Sequence, residues 1–290
     1  MSVKNVPIPA AAEAAGFTKL AFCEDFDDYS GIDLSGEGKP GYNFYIDRPY
    51  GLHTLVKDDE FSVADSVLKL GVYRPGCLAD LCTYSKKGDT GYTMQYGYAE
   101  AHIRVDWPDD TYAGAWPAFW SIGKNDAMSR GWSDCGEIDV LEMVPIHGKK
   151  RPIYTGTLHH HHRDHDEEGK ISGTRVGSNM VNATGYNDYF DYIDKEWHTY
   201  AVLWEPGHVS WYMDNKLMHS VRYNGMDLPQ FFYRDSPTPL PRIEHRMPEF
   251  ADRVWKGQYD IFENDPQVFF LGARNEWPLY CDWVRFWEKE

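Results

Sequence analysis

The strongest constraint on the fold is a series of short segments in which apolar and polar residues alternate or β-branched and aromatic residues dominate. They are SVLKLGVY (66–73), YGYAEAHIRVDW (96–107), AWPAFWSIG (115–123), EIDVLEMV (137–144), IYTGTLHHHH (153–162), WHTYAVLWEP (197–206), HVSWYMDN (208–215), VFFLGAR (268–274) and YCDWVRFWE (280–288). Clusters of Gly, Pro, Asp and Asn separate most of them. A period of two indicates strands with one buried face. The sequence therefore predicts an all-β protein, an antiparallel sandwich or barrel.

The chain shows no internal boundary. No Gly/Ser-rich or Pro-rich linker divides the 290 residues, so we predict one domain over 1–290. Helical patterns are confined to AAAEAA, in an N-terminal extension over 1–17, and to FADRVW near 250–255. Residues 224–267 instead mix repeated prolines with charged and aromatic residues. Long loops in a compact domain are usually functional, so we expect an insertion along the rim of a cleft.

Charge and cysteine usage exclude several classes of partner. The formal net charge of −16 at pH 7 repels nucleic-acid phosphates and anionic membranes. No apolar stretch approaches the ~18 residues that span a bilayer, and the N-terminal sequence has no convincing signal-peptide pattern. The five cysteines lack CxxC spacing, which favours neither a disulfide scaffold nor a zinc site. We expect a monomer that binds neither nucleic acid nor membranes and needs no cofactor for catalysis.

The stretch GEIDVLEMV at 136–144 places Glu137, Asp139 and Glu142 inside an apolar run. Acidic residues are rare in such runs unless they are used. On a helix, at about 100° per residue, they would point in scattered directions. On a regular strand Glu137 and Asp139 share a face, whereas Glu142 points away. One bulged residue, most simply Leu141, would bring all three to one face, and bulges are frequent beside active sites.

Three carboxyl groups on one face suit the chemistry of a retaining glycosidase. Such an enzyme needs an ionised carboxylate as nucleophile and a protonated carboxyl as acid and later base, and neighbouring charges separate the two pKa values. With one bulge, the Cα atoms of Glu137 and Glu142 would lie roughly 13 Å apart. Inward-leaning side chains can close that gap toward the ~5–5.5 Å carboxyl separation of retaining enzymes. A calcium-binding or edge-strand acid cluster is the alternative.

Aromatic and histidine residues near the acids are further candidates. Aromatic residues make up 16% of the chain, and Trp rings suit stacking on sugars as well as core packing. Trp116, Trp120 and Trp132 flank the acidic stretch. In the run HHHHRDH, a strand would place His159 and His161 on one face and His160 and His162 on the other. The four imidazoles therefore cannot converge on one zinc ion.

Four blocks in consistent order resemble glycoside hydrolase family 16, the laminarinase, lichenase, agarase and carrageenase group. They are YGYAEAHIRV, GAWPAFWSIG, WSDCGEIDVLEMV and TGTLHHH, and the resemblance runs from about residue 20 to the C-terminus. It implies a β-jelly roll of two curved antiparallel sheets with a concave cleft, and internal cleavage of β-linked polysaccharides with retention. The E-x-D-x-x-E signature of the bulged subtype falls on Glu137, Asp139 and Glu142. By that match they are the nucleophile, the assisting residue and the general acid/base.

The resemblance also implies contacts elsewhere in the cleft. The histidine of the family's T-x-H strand approaches the acid/base, and here that residue is His159. A loop on the non-reducing side of the cleft and a polar or aromatic position near the C-terminus also face the substrate in relatives. A structural calcium site on the convex face matches Glu24 and Asp282. The candidate substrate-binding residues are then Trp116, Trp120, Trp132, His159, His161, Asn43, Tyr45, Arg48, Asn275, Glu276 and Trp277.

The substrate is less constrained than the reaction. A β-1,3- or β-1,3-1,4-glucan is the leading candidate, because WSDCGEIDVLEMV is nearest to the laminarinase form. The N-L-A-V-G-G stretch of laminarinases is replaced by FFLGARNEW, however, so an algal galactan such as agarose, porphyran or carrageenan is the alternative substrate. Arg48, His159–Arg163 and Arg274 could bind the sulfates of the sulfated members of this group. A non-catalytic carbohydrate-binding jelly roll and a calcium-dependent adhesion sandwich are the alternatives of another class. A polymeric substrate implies an extracellular or periplasmic enzyme.

Overall fold

The computed structural model describes residues 6–46, 59–108, 114–129, 135–144, 152–168, 171–181, 194–222 and 260–290. Short helices in these ranges are α1 (Ala10–Ala14), α2 (Lys124–Ser129) and α3 (Asp260–Asn264), with a 3-10 turn at Tyr29–Gly31. The N-terminal helix confirms the one predicted from AAAEAA. The predicted helix near 250–255, and most of the predicted 224–267 insertion, lie outside the described residues.

The strands form two large sheets. The first sheet contains β1 (Lys19–Glu24), β4 (Phe61–Ala64), β5 (Val67–Leu70), β9 (Gly97–Val105), β14 (His198–Glu205), β15 (His208–Met213), β16 (Lys216–Arg222) and β18 (Leu279–Glu288). The second sheet contains β2 (Ile32–Asp33), β3 (Phe44–Tyr45), β6 (Ala79–Cys82), β10 (Ala118–Gly123), β11 (Cys135–Val144), β12 (Ile153–His165), β13 (Ile171–Val181) and β17 (Gln267–Ala273). A separate hairpin pairs β7 (Tyr84–Ser85) with β8 (Thr90–Gly91).

Strand order explains how distant parts of the sequence reach one surface. The first sheet runs β16-β15-β14-β9-β18-β5-β4, with β1 on β18, and the second runs β13-β12-β11-β10-β17-β6-β3-β2. Pairing is antiparallel throughout these sheets except between β2 and β3. The arrangement confirms the predicted jelly-roll sandwich. It also places β17, from the end of the chain, directly beside β10 and one strand away from β11.

The main core lies between the two sheets. In β9 the predicted inward residues Ala99, Ala101, Ile103 and Val105 are all fully buried, whereas His102 and Arg104 on the other face keep partial exposure. The alternation seen in the sequence is therefore the alternation of core and outer face. None of the helices among the described residues is long and apolar enough to cross a membrane.

Candidate active site

Strand β11 contains the predicted bulge, but the register with β10 places the extra residue at Val140 and not at the predicted Leu141, which pairs with Phe119. In its pairing with β12, Asp139 lies opposite Thr157 and Glu142 lies opposite Thr155, so two residues of β11 face one residue of β12. In its pairing with β10, Trp120 faces Asp139 and Phe119 faces Leu141, so that register skips Val140. The extra residue restores the parity of Glu142 with the two acids before it.

Two core side chains hold the bulged backbone. A bulge disrupts the ladder of backbone hydrogen bonds and leaves carbonyl groups that need other partners. Here the indole N–H of Trp211 donates to the Asp139 carbonyl at 2.8 Å, and the Tyr154 hydroxyl donates to the Val140 carbonyl at 3.1 Å. A side chain at Gly156 would collide with the Trp211 ring, so the glycine makes room for this anchor.

The three acids line one pocket of about 350 Å³. Its other lining residues are Trp116, Ala118, Trp120, Ala273 and Arg274. The small side chain of Ala118 lies directly across the strand pair from Glu142, and β17 ends at Ala273. Two small residues in the lining, Ala118 and Ala273, leave open space beside the acids.

Two histidines of β12 contact the acids of β11. His161 Nε2 lies 2.6 Å from Glu137 Oε2, and His159 Nε2 lies 3.1 Å from Asp139 Oδ2. In backbone register, however, Glu137 faces His159, and Asp139 faces Thr157. Each imidazole therefore leans diagonally by two residues to reach its carboxyl group, a separation that long and aromatic side chains can span.

Glu142 has a different set of partners. The Trp116 indole N–H donates to its Oε1, while the hydroxyls of Thr155 and Thr157 lie 3.4 Å and 3.5 Å from its Oε2. These donors are neutral, whereas the donor to Glu137 is an imidazole. The environment therefore distinguishes the two glutamates.

The pKa values of the acids move in opposite directions. Burial alone would raise the pKa of Glu137, but the hydrogen bond and charge of His161, with that of His159, lower it to about 2. Burial raises the pKa of Asp139 well above its usual range, and the charges of Glu142 and Glu137 add to this effect. Burial also raises the pKa of Glu142, although His159 and the Trp116 hydrogen bond oppose it. The environment thus favours the ionised form of Glu137 and the protonated form of Asp139.

The same cluster has the composition of a metal site. Glu137, Asp139 and His159 each place one ligand atom within 4.8 Å of the others. Metal ligands must be deprotonated, whereas burial raises the pKa of Asp139, which also shares hydrogen bonds with both glutamates. This arrangement favours a set of carboxyl groups sharing a proton over a bound cation.

The predicted tryptophan platforms differ in their placement. Trp116 and Trp120 both line the pocket. The ring of Trp120 also stacks on Phe270, with centroids 4.4 Å apart and planes 16° apart, and its N–H donates to the Gly272 carbonyl. One face of Trp120 is therefore used in packing. The predicted contacts of Trp132 and Arg48 lie outside the described residues.

Three predicted binding residues are corrected by their burial. Tyr45 and Asn275 have no exposed surface, and Trp277 is 2% exposed. Asn275 closes the end of β17 by donating to the Ala79 carbonyl and accepting from the Ala273 N–H. Trp277 packs near Trp107 in the core. Residues this buried do not offer a surface for direct contact with a sugar.

The remaining predictions fall on polar residues with protein partners. The Asn43 amide donates to the Cys23 carbonyl and to Glu24 Oε2, so Asn43 fixes a loop against β1. Glu276 accepts from the Gly76 N–H. Glu24 also accepts from the Phe26 N–H at 2.8 Å, and Asp282 pairs with His102 Nδ1 at 2.9 Å. The predicted calcium role of Glu24 and Asp282 stays a prediction.

Sequence reasoning missed two residues of the pocket, Ala118 and Ala273, and considered Arg274 only as a possible partner of sulfate groups. Arg274 follows β17 directly, and its backbone carbonyl accepts from the Trp116 N–H at 2.6 Å. The signal for Arg274 was present in the sequence, because GAR ends a strand-like segment. The two alanines carry no such signal, since their contribution is the space that they leave.

The fold and the acid-lined pocket are those expected of a jelly-roll glycoside hydrolase. A comparison with known families agrees, since residues 52–241 match the glycosyl hydrolases family 16. The chain belongs to this family.

Individual relatives resemble the chain at moderate identity. It is 28% identical over 174 residues to a β-glucanase of Rhodothermus marinus, covering 59% of this chain and 53% of that protein. It is 25% identical over 243 residues to a keratan-sulfate endo-1,4-β-galactosidase of Sphingobacterium multivorum, covering 76% of this chain and 50% of that protein. The chain thus spans about half the length of these relatives. A laminarinase structure from Flavobacterium sp. UMI-01 shares the fold with a TM-score of 0.52 at 18% identity, covering 93% of this chain and all of that one.

Proposed function

We propose that this protein is a retaining endo-β-glycanase that hydrolyses internal bonds of a β-1,3- or β-1,3-1,4-glucan. The observation that carries the proposal is the placement of Glu137, Asp139 and Glu142 on one face of a bulged strand, with the pKa of Glu137 lowered and that of Glu142 raised. An ionised carboxylate beside a protonated one is the combination that retaining hydrolysis requires.

In this mechanism Glu137 is the nucleophile. Its carboxylate attacks the anomeric carbon and forms a covalent glycosyl ester as the bond to the leaving oxygen breaks. The hydrogen bond from His161 keeps Glu137 ionised despite its burial. A carboxylate in this state is ready to attack over the whole range of ordinary pH.

Glu142 is the general acid and then the general base. Its raised pKa keeps a proton available for the leaving oxygen, and the carboxylate that results can accept a proton from the attacking water in the second step. The Trp116 N–H and the Thr155 hydroxyl orient the carboxyl group above Ala118.

Asp139 lies between the two glutamates and forms hydrogen bonds with both of their side chains. A protonated carboxyl in this position can donate to a carboxylate on either side, so it limits the repulsion between Glu137 and Glu142. Because one carboxyl group bridges them, the glutamates stay close together, as the double displacement of a retaining enzyme requires.

The resemblance to the Rhodothermus marinus β-glucanase supports a glucan as the substrate. The pocket lining agrees with a largely neutral sugar, because two indole rings and two alanines accompany the acids. Tryptophan faces bind the apolar faces of sugar rings without needing charge.

A second candidate is an endo-β-galactosidase acting on a galactan. Two observations favour it: Arg274 places a cation at the pocket, and a relative that matches 76% of this chain acts on keratan sulfate by its description. A guanidinium binds sulfate through paired hydrogen bonds. The sulfated algal galactans considered above belong to the same alternative.

Polysaccharide digestion separates these candidates. The protein is incubated with laminarin, lichenan, agarose, porphyran, carrageenan and keratan sulfate, and the released oligosaccharides are sequenced while proton NMR records the first anomer formed. We expect β-anomers from laminarin or lichenan. Cleavage of only a galactan would select the second candidate. Binding without cleavage would identify a carbohydrate-binding jelly roll, and α-anomers would contradict retention.

Other properties follow from a polymeric substrate. We infer an extracellular or periplasmic location, because polysaccharides do not enter cells, and a monomeric enzyme that needs no cofactor for the reaction. A structural calcium ion bound by Glu24 and Asp282 would raise the unfolding temperature in added calcium, and chelation would reverse that rise.

A further inference from the structure

The shorter of the two contacts between the β12 histidines and the acids joins His161 Nε2 to Glu137 Oε2 at 2.6 Å. The imidazole and the carboxylate are 16% and 18% exposed, so little water surrounds the bond. Because an ionised carboxylate can only accept hydrogen bonds, the Nε2 atom of His161 must carry the hydrogen. Hydrogen bonds to an ionised partner strengthen where water is scarce.

This contact is separate from the one that the T-x-H resemblance implies. That resemblance falls on His159, which contacts Asp139 at 3.1 Å. His161 lies two residues further along β12, opposite Cys135, and its ring leans back toward Glu137. The ring centroids of the two histidines are 5.9 Å apart, so each occupies its own position above the sheet.

We propose that His161 is a positioning residue whose hydrogen bond to Glu137 Oε2 directs attack to Oε1 and speeds the breakdown of the glycosyl-enzyme. The inference rests on the proposed function, because it assigns a task within the second half of that reaction. His161 does not touch the reacting carbon; it acts through Glu137.

The two steps place different demands on Glu137. In the first step Oε1 bonds to the anomeric carbon, the bond to the leaving oxygen breaks, and that oxygen takes the proton of Glu142. In the second step a water oxygen bonds to the anomeric carbon, a water proton passes to Glu142, and the electron pair of the ester bond returns to Glu137. Negative charge on Glu137 thus disappears in the first step and reappears in the second.

A donor to Glu137 therefore affects the two steps in opposite ways. It stabilises the free carboxylate, which slows attack slightly, and it stabilises the returning charge, which makes the carboxylate a better leaving group. Without His161 the first step should keep its rate, whereas the glycosyl-enzyme should persist. A loss of structure alone would slow both steps together.

The test uses 2,4-dinitrophenyl β-laminaribioside, whose reactive leaving group makes the first step fast. We compare the wild-type protein with His161→Leu, which removes the donor, and with His161→Gln, which retains an N–H. In His161→Leu we expect kcat to fall about tenfold, with kcat/KM changed less than about threefold and a burst of dinitrophenol before the steady state. In His161→Gln most of the lost kcat should return.

His198 provides a matched control. It lies in β14 of the other sheet and forms the same kind of pair, with Nδ1 2.7 Å from Asp214 Oδ2. His198→Leu should leave the ratio of kcat to kcat/KM unchanged. Equal losses of kcat and kcat/KM in His161→Leu, or the absence of a burst, would overturn the proposal, as would a Gln variant no better than Leu.

The outcomes also separate this inference from the proposed function. If the wild-type protein hydrolyses neither this glycoside nor laminarin and lichenan, the glucanase function fails before His161 is tested. If the wild-type protein is active and the variants lose both steps equally, only the role of His161 fails. The burst amplitude, measured as moles of dinitrophenol per mole of protein, distinguishes slow turnover from a fraction of misfolded protein.

Discussion

Strands β9 and β11 both carry a glutamate within an apolar run, yet the two carboxyl groups behave in opposite ways. Glu100 of β9 is 5% exposed, and burial raises its pKa to about 8. Burial acts on Glu137 of β11 in the same direction, but the histidines opposite it lower its pKa to about 2. Burial thus raises the pKa of both glutamates, and side chains from the neighbouring strand decide whether the carboxyl group is ionised.

The difference arises from what the neighbouring strands offer. Arg285 of β18 lies opposite Glu100 in register, but its guanidinium pairs with Asp25 at 2.9 Å and covers the Trp283 ring. The imidazole of His161, by contrast, forms its hydrogen bond with Glu137 directly. A cationic residue opposite a buried acid in register therefore does not keep that acid ionised unless its charged group points at the carboxyl group.

The largest expected effect comes from removing the ionised carboxylate of β11. Glu137→Gln should lower hydrolysis of laminarin by at least about a thousandfold, because no covalent intermediate can form. Binding of laminarin, measured by isothermal titration calorimetry, should remain nearly intact, since the lost group acts on the barrier more than on the ground state. A variant that retained a tenth of the turnover would exclude Glu137 as the nucleophile.

Removing the other glutamate of β11 should have a smaller and reversible effect. Glu142→Ala should lower kcat on laminarin by about a hundredfold or more, because the leaving oxygen loses its proton donor. On an aryl glycoside with a reactive leaving group the loss should be slight for the first step, and added azide should restore turnover. The product, identified by NMR, should be the β-glycosyl azide, and an α-azide would contradict a double displacement.

The third prediction concerns the buried acid of β9. A carboxyl group whose pKa is raised on folding stays protonated in the folded state while it ionises in the unfolded state, so stability falls as pH rises from about 4.3 to about 8 and is constant beyond. Glu100→Gln removes this dependence. Urea unfolding should show the variant gaining roughly 3–4 kcal/mol relative to wild type between pH 5 and pH 8.

Glu205→Gln is the control for that measurement, because it removes a carboxylate from the exposed end of β14. Its unfolding free energy should follow that of the wild type at both pH values. A Glu100→Gln variant whose stability changed with pH as the wild type does would mean that Glu100 is ionised in the folded protein.

Much of the fold could be predicted because its determinants are local. The period of two in YAEAHIRV fixes which residues of β9 enter the core, and the parity of Glu137, Asp139 and Glu142 requires one extra residue in β11. Both properties can be read along a single strand.

Contacts between strands could not be predicted in the same way. The pairing of His161 with Glu137 depends on the register of β12 against β11 and on a diagonal lean of the ring. The burial of Trp277 depends on Trp107, far away in sequence. Neither relation leaves a local pattern, so the resemblance to the family suggested Trp277 as a cleft residue, and no specific partner of His161 could be inferred from the sequence.

The smallest expected effect tests the neutral donor to Glu142. The hydrogen bond from the Trp116 indole lowers the pKa of Glu142 in the wild-type protein. Trp116→Phe removes this donor, so the pKa of Glu142 should rise and the basic limb of the kcat/KM profile should move to higher pH. The activity lost at the optimum should be about fivefold, the value of one hydrogen bond of roughly 1 kcal/mol. Trp120→Phe is the matched control, because its N–H donates to the Gly272 carbonyl. It should leave the basic limb in place, and an equal shift in both variants would assign the effect to ring packing.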